Sequence, residues 1–135
     1  MRYIAVIEND PDVARVMIVE IEHNAALLFE FASEFDGGSK GDDWFESVSE
    51  AIACVIDDYG DSSITWFAAE DQQIHCQQDW ITPARVPGRE TGSPIFGRLE
   101  LLVDDEWIEF NPEDPPEIEI DYSSVTRLDA PPLNA

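Results

Sequence analysis

The chain has 135 residues, of which 30 are acidic and seven basic, for a formal net charge of −23. Its 44% hydrophobic content, with seven Phe, four Trp and three Tyr, supplies a core and excludes a disordered chain. The charge excludes direct nucleic-acid binding, since the surface repels phosphates as it repels anionic lipid, and it favours basic proteins.

The length fits one domain, 1–135. Its folded surface scales to roughly 7,000 Å². A partner footprint of about 800 Å² then holds about three acids and fewer than one base wherever it falls. No apolar run is as long as a membrane span, and no basic segment precedes an apolar one, so the sequence reads as cytoplasmic. Two cysteines, Cys54 and Cys76, make no disulfide framework. A salt-adapted organism would also produce an acidic, lysine-poor chain, and Lys40 is the single lysine.

"RYIAVIE", residues 2–8, is short, apolar and β-branched and predicts a strand. "NDPD" turns the chain, with Pro11 pre-setting its dihedral. In "ARVMIVEIE", Met17, Val19 and Ile21 share one face and Glu20 and Glu22 the other. In "ALLFEFASEF", Leu27, Phe29, Phe31 and Phe35 oppose Glu30 and Glu34. Three strands with short turns predict an antiparallel meander. "YIAVIENDPDVARVM" resembles the start of a response-regulator receiver domain. The resemblance ends after about fifteen residues, where period two sets in and no later strand supplies a phosphoacceptor Asp.

"DGGSKGDD", 36–43, reads as a loop. A helix follows. Ser47 and Glu50 form a capping box, and Val48, Ile52, Val55, Ile56 and Tyr59 make the apolar stripe. Gly60 stops it. The stripe is expected to pack on the phenylalanine face of the meander. Asp57 and Asp58 fall in the last turn, where the helix dipole disfavours carboxylates by roughly 0.3–1 kcal/mol each.

"SSITWFAAE", 62–70, predicts a strand, and 71–97 is irregular, punctuated by Pro and Gly. "GRLELLVDDEWIEF", 97–110, predicts a hairpin turning on acids. "EIEIDYSSV" suggests a last edge strand. Residues 111–135 read as a partly extended, frayed C-terminal tail. The fold class is α+β, an antiparallel β-meander and hairpins packed on one main α-helix.

No constellation of catalysis emerges. His75 and Cys76 are neighbours on an extended segment and would point apart, so His75 cannot serve the thiol. The pool of soft metal ligands is His23, His75, Cys54 and Cys76, without paired spacing. Asp42–Asp43, Asp57–Asp58 and Asp104–Asp105 sit in turns or helix ends, where carboxylates are solvated and ordinary acids. The expected site therefore has no catalytic residue, metal or cofactor. It is a partner surface. Trp is enriched in binding hot spots, and an indole ringed by carboxylates receives Arg or Lys. Two such groups stand out: Asp57, Asp58, Asp61 with Trp66, and Asp104, Asp105, Glu106 with Trp107. Departures from local rule, such as acids at a helix C-terminus, tend to mark function.

The layout of 60–110 is a helix ending in "DYG", a strand with Trp, then "QQDWITPARVPGRETGSPIFGRLELLVDDEWIEF". It resembles small acidic immunity proteins of bacterial polymorphic and contact-dependent toxin systems. The resemblance implies a cytoplasmic, non-enzymatic inhibitor of a basic toxin, often a nuclease, and carries over no individual residue. The expected state is a monomer or weak homodimer. Two other readings compete: a DNA mimic acting on a DNA-binding protein, with carboxylates spaced as phosphates, and an enzyme built around His75. An acidic α+β domain without a charged partner is the remaining possibility.

Overall fold

Alternation of apolar residues organises the N-terminal half into a sheet. The computed structural model describes residues 1–132 and contains nine strands and one α-helix among them. Strands β1 (Arg2–Ile7), β2 (Arg15–Glu20), β3 (Ala26–Phe31) and β4 (Gly41–Phe45) run as a continuous antiparallel meander. Helix α1 (Val48–Tyr59) then carries the chain back, and β5 (Ile64–Ala69) pairs antiparallel with β1. The sheet order is β4-β3-β2-β1-β5-β9, closed on its far side by β9 (Thr126–Leu128). β4 and β5 therefore run parallel, joined by a helical crossover over the intervening strands. The α+β class, with meander, hairpin and one main helix, is the observed architecture.

The chain gathers into two compact units. The first comprises residues 1–34, 38–71 and the segment from Asp121; the second comprises 35–37 and 72–120. Each unit gathers its own apolar cluster.

In the first unit, α1 starts where the sequence placed it. The Ser47 hydroxyl accepts from Glu50 N–H at 3.1 Å, and the Glu50 carboxylate accepts from Glu46 N–H at 3.2 Å. Gly60, at φ +80°, ends the helix with its N–H on Ile56 O. Val48, Ala51, Ile52 and Val55 are buried against Ala5, Val16, Ile18, Ala26, Leu28 and Trp66. This corrects the expected packing: the helix lies on the even-numbered face of β2 and β3, and Phe29 and Phe31 point the other way. β2 is buried at five successive positions, so its alternation does not say which face meets the helix. Ala5 and Ala26 are small, and small residues let a helix approach a sheet closely.

The opposite face carries Ile4, Met17, Val19 and Phe31, all buried, together with two buried arginines. Arg2 Nε donates to Glu70 O at 2.8 Å. The Arg15 guanidinium lies 3.8 Å from the Phe31 ring centroid, and its Nη1 donates to Ser33 O at 3.4 Å. Two of the seven bases thus leave the surface, whereas Asp36 is the only buried acid among the described residues. The exterior is relatively more anionic than the composition states.

β4 was read as part of a loop. Four of its five residues are exposed, so no inside–outside alternation marks it. The last strand also falls later than expected: 117–125 contributes an isolated bridge, Asp36 with Ile118, and a 3₁₀ turn at Tyr122–Ser124, before β9. Within the first unit the Tyr122 ring lies 4.6 Å from that of Phe67. Residues 133–135 of the expected frayed tail lie outside the described residues.

The second unit is built on β6 (Ala84–Arg85), β7 (Leu99–Val103) and β8 (Glu106–Phe110), in that order in an antiparallel sheet. Trp80, Ala84 and Leu101 form its small core, with Phe110 and Ile118 packed against it. The loop between β6 and β7 turns at Gly88, where φ is +84° and a Cβ would collide with Ser93 O. The predicted hairpin is present. Its two-residue turn, Asp104–Asp105, has φ of +50° and +65°, the pattern of a type I′ turn. That turn favours Asn-Gly, and a non-glycine residue in the left-handed region costs about 1 kcal/mol. The double variant Asp104→Asn/Asp105→Gly is expected to stabilise the protein by about 1–2 kcal/mol in denaturant unfolding. No gain would contradict a strained turn.

Candidate functional site

The two predicted groups meet different fates. Asp57 and Asp58 are exposed in the last turn of α1, with no basic residue beside them in that turn. Cys54 Sγ donates to Asp58 Oδ2 at 3.5 Å. Burial pushes the Cys54 thiol above its ordinary range, and Asp58, Asp43 and Asp57 push it further. Asp43 of β4 therefore belongs with the helix-end acids. Tyr59, one residue on, is pushed up to about 12, first by desolvation and then by Glu30, Asp10 and Asp58. Five carboxylates from four separate segments thus act on α1, three on Cys54 and three on Tyr59, with Asp58 common to both. No cation figures among the groups acting on either.

Tyr59 makes this field measurable. Its raised pKa means that the folded state holds the phenolic proton where the unfolded chain, near 10.0, has lost it. The associated stability is complete below pH 10 and is lost as pH rises from about 10 to about 12. Phenolate absorbance is expected to show a late-titrating tyrosine that disappears in Tyr59→Phe. Asp58→Asn should lower that midpoint without normalising it, because desolvation is the larger cause.

Asp61 opens a 3₁₀ turn, Asp61–Ser63, and is exposed. It shares a cleft of about 550 Å³ with Ile64, Thr65, Trp66, Arg127, Leu128, Asp129, Ala130 and Pro131. Trp66 itself is 3% exposed and belongs to the core beneath α1. The expectation that it anchors a partner is corrected. Its even position on β5 points it to the helix face, and its bulk fills the space beside Ala5. Among the described residues the Trp66 Nε1–H has no hydrogen-bond partner.

Asp104, Asp105 and Glu106 are exposed, as a hairpin tip requires. Trp107 already has a cation. The Arg85 guanidinium stacks 3.8 Å from its ring centroid, while Arg85 Nε binds Glu100 Oε1 at 2.6 Å and Nη2 lies 3.6 Å from Glu90 Oε1. The indole-and-carboxylate receptor foreseen for a partner is filled by the chain's own arginine. This partner was not legible, because Arg85 lies 22 residues upstream and meets Trp107 only through the β6–β7–β8 register.

The accessible indole is one the sequence reading passed over. Trp44, on β4, is 60% exposed, whereas Trp66 and Trp80 are buried. The acid pair Asp42–Asp43 immediately before it is the available signal. β4 is the outer strand of its sheet, with β3 as its sole strand partner among the described residues. Trp44 stands opposite Leu27, and Asp42 opposite Phe29.

His75 is exposed in a turn at φ +67°, not on a strand, and Cys76 is buried. Burial raises the Cys76 thiol, partly offset by Arg85 and Arg89. Among the described residues no three of His, Cys, Asp and Glu are grouped as metal ligands, and no helix is long and apolar enough to cross a membrane. No protein-family model, curated protein or solved structure matches the chain.

Proposed function

We propose that this protein is a non-enzymatic binder of a basic protein, and specifically an immunity protein that neutralises a bacterial toxin in the cytoplasm. The observation that carries this reading is the convergence of Asp10, Glu30, Asp43, Asp57 and Asp58 on Cys54 and Tyr59. A random footprint would hold about three acids. Here five act on two residues of one helix, with Asp58 common to both, and Trp44 is exposed on the far face of β4. Such an arrangement raises the encounter rate with a cationic surface and weakens as salt screens it. The layout resemblance to immunity proteins supplies the toxin, and a basic nuclease is the class of toxin that carries the matching charge.

The test is association with the basic proteins encoded beside the gene, measured at several ionic strengths. Tight binding is expected, with an on-rate that falls about tenfold or more between low and physiological salt. Asp43→Asn/Asp57→Asn/Asp58→Asn should slow association more than neutralising Glu106, Glu109 and Glu113. Failure to bind any of those proteins would remove the immunity reading. Equal effects of the two triple variants would remove the site.

A further inference from the structure

An open sheet edge is normally guarded, because its unpaired N–H and C=O groups invite another strand. β4 is such an edge. It is five residues long, it ends the six-stranded sheet, and Gly41, Asp42, Asp43 and Trp44 are all exposed. Its side chains alternate between two faces. Asp42 and Trp44 share one face, seated opposite the half-buried Phe29 and Leu27. Asp43 stands on the other, in the field of Asp57 and Asp58 that acts on Cys54. A strand laid along this edge meets carboxylates on both of its faces.

The chain also shows what one of its indoles binds. In the second unit, Arg85 stacks on Trp107 and pairs with Glu100. Trp107 stands opposite Leu102, two residues from Glu100. The carboxylate is therefore one two-residue step from the indole on a common face. Asp42 and Trp44 repeat that step along a single strand. Exposed, the pair is a receptor for a guanidinium, through ion pairing and cation–π contact.

We infer that β4 takes an extended, arginine-bearing segment of the basic partner as an added strand, with Trp44 and Asp42 gripping one guanidinium. Backbone pairing supplies affinity, and the alternating side-chain sites supply specificity. A second copy of this chain is the poorer occupant. Pairing two β4 edges would set Asp42 and Asp43 of one copy among those of the other, and like charges across a ladder repel. The inference rests on the basic-partner reading and adds the place and mode of contact.

The probe is a short synthetic peptide of alternating arginine and valine, compared with the same peptide N-methylated at every residue, which removes the donors on both of its edges. N-methylation keeps the charge and abolishes the ladder. The parent peptide is expected to bind at least about tenfold more tightly than the methylated one. Trp44→Ala and Asp42→Asn should each weaken it about fivefold or more, with the unfolding midpoint confirming that the variants fold. Alternate amides within 41–45 should gain hydrogen-exchange protection on binding. Equal affinity for the two peptides, or protection elsewhere with none on β4, overturns strand addition while leaving attraction to basic proteins standing. No binding of either peptide overturns it too. If the neighbouring basic proteins also fail to bind, the functional reading falls with it. A concentration-dependent dimer that Trp44→Ala dissolves would assign the edge to a second copy instead.

Discussion

Replacing Asp36 with alanine is expected to destabilise the second unit by about 2–4 kcal/mol. Asp36 is 4% exposed and holds the backbone of a turn that has no regular secondary structure. Its Oδ1 accepts from Ile81 N–H at 3.0 Å and its Oδ2 from Thr82 N–H at 2.7 Å. Its own N–H donates to Ile118 O at 2.8 Å, which is how residues 35–37 join the second unit. Truncation leaves two backbone donors without acceptors, at about 1–3 kcal/mol each when shielded from water, and both are partly buried here. Asp36→Asn keeps one acceptor oxygen and should cost about half as much. Denaturant unfolding followed by the fluorescence of Trp80, the adjacent core indole, measures both. A loss below about 0.5 kcal/mol for the alanine variant would mean that water replaces the carboxylate without penalty.

Asp36 also shows where the sequence was silent. Within "DGGSKGDD" it looked like one more loop acid. Its partners lie about 45 residues away in a segment without periodicity, and no local signal distinguishes it from its solvated neighbours. α1 is the opposite case. Ser47, Glu50, the apolar stripe and Gly60 are all within one helix length, so start, face and stop could be read directly. The meander was readable from alternation, but the side on which the helix docks was not. β2 is apolar on both faces, so period two fixed the strand and left the choice of layer open. β4 was missed for the complementary reason. An exposed edge strand has nothing to alternate.

The candidate site divides along the same line. The acids at the end of α1 were visible as an electrostatic misfit, because the rule they break is local. That Asp43, Glu30 and Asp10 join them is a product of sheet register and crossover. The indoles were the least legible. Trp44, Trp66, Trp80 and Trp107 look alike in sequence, yet the first is exposed, the next two are buried and the last is covered by Arg85. Strand parity decides Trp66, edge position decides Trp44, and a long-range cation decides Trp107. The exposed aromatic and the acid cluster fall in the same unit but on opposite faces of β4, Trp44 on one and Asp43 with the end of α1 on the other.

Arg85→Met is expected to cost about 2–3 kcal/mol, because it separates a cation from three partners in the second unit. The Arg85 side chain is 17% exposed and that of Glu100 is 14% exposed, so this pair is far better shielded than Arg98–Glu109, where both side chains are about half exposed. Methionine retains most of the apolar stem over Trp107, and the loss therefore reports the charge. Glu100 would be left without its cation, with Glu90 and Glu109 on the same small sheet and loop. Breaking one partner of a shielded pair costs more than the pair is worth intact. Arg85→Lys should recover part of the stability and not the planar stack. A second readout separates electrostatics from packing. Arg85 and Arg89 both hold the Cys76 thiol down against the upward push of burial. Without Arg85 that thiol should titrate higher and alkylate more slowly in the folded state, whereas a purely steric defect would loosen the unit and speed alkylation. Unchanged stability together with unchanged Cys76 reactivity would show that Arg85 is a surface side chain resting on Trp107. Trp107 would then be open to a partner's arginine, and the hairpin, rather than the edge of β4, would become the better place to look for the bound cation.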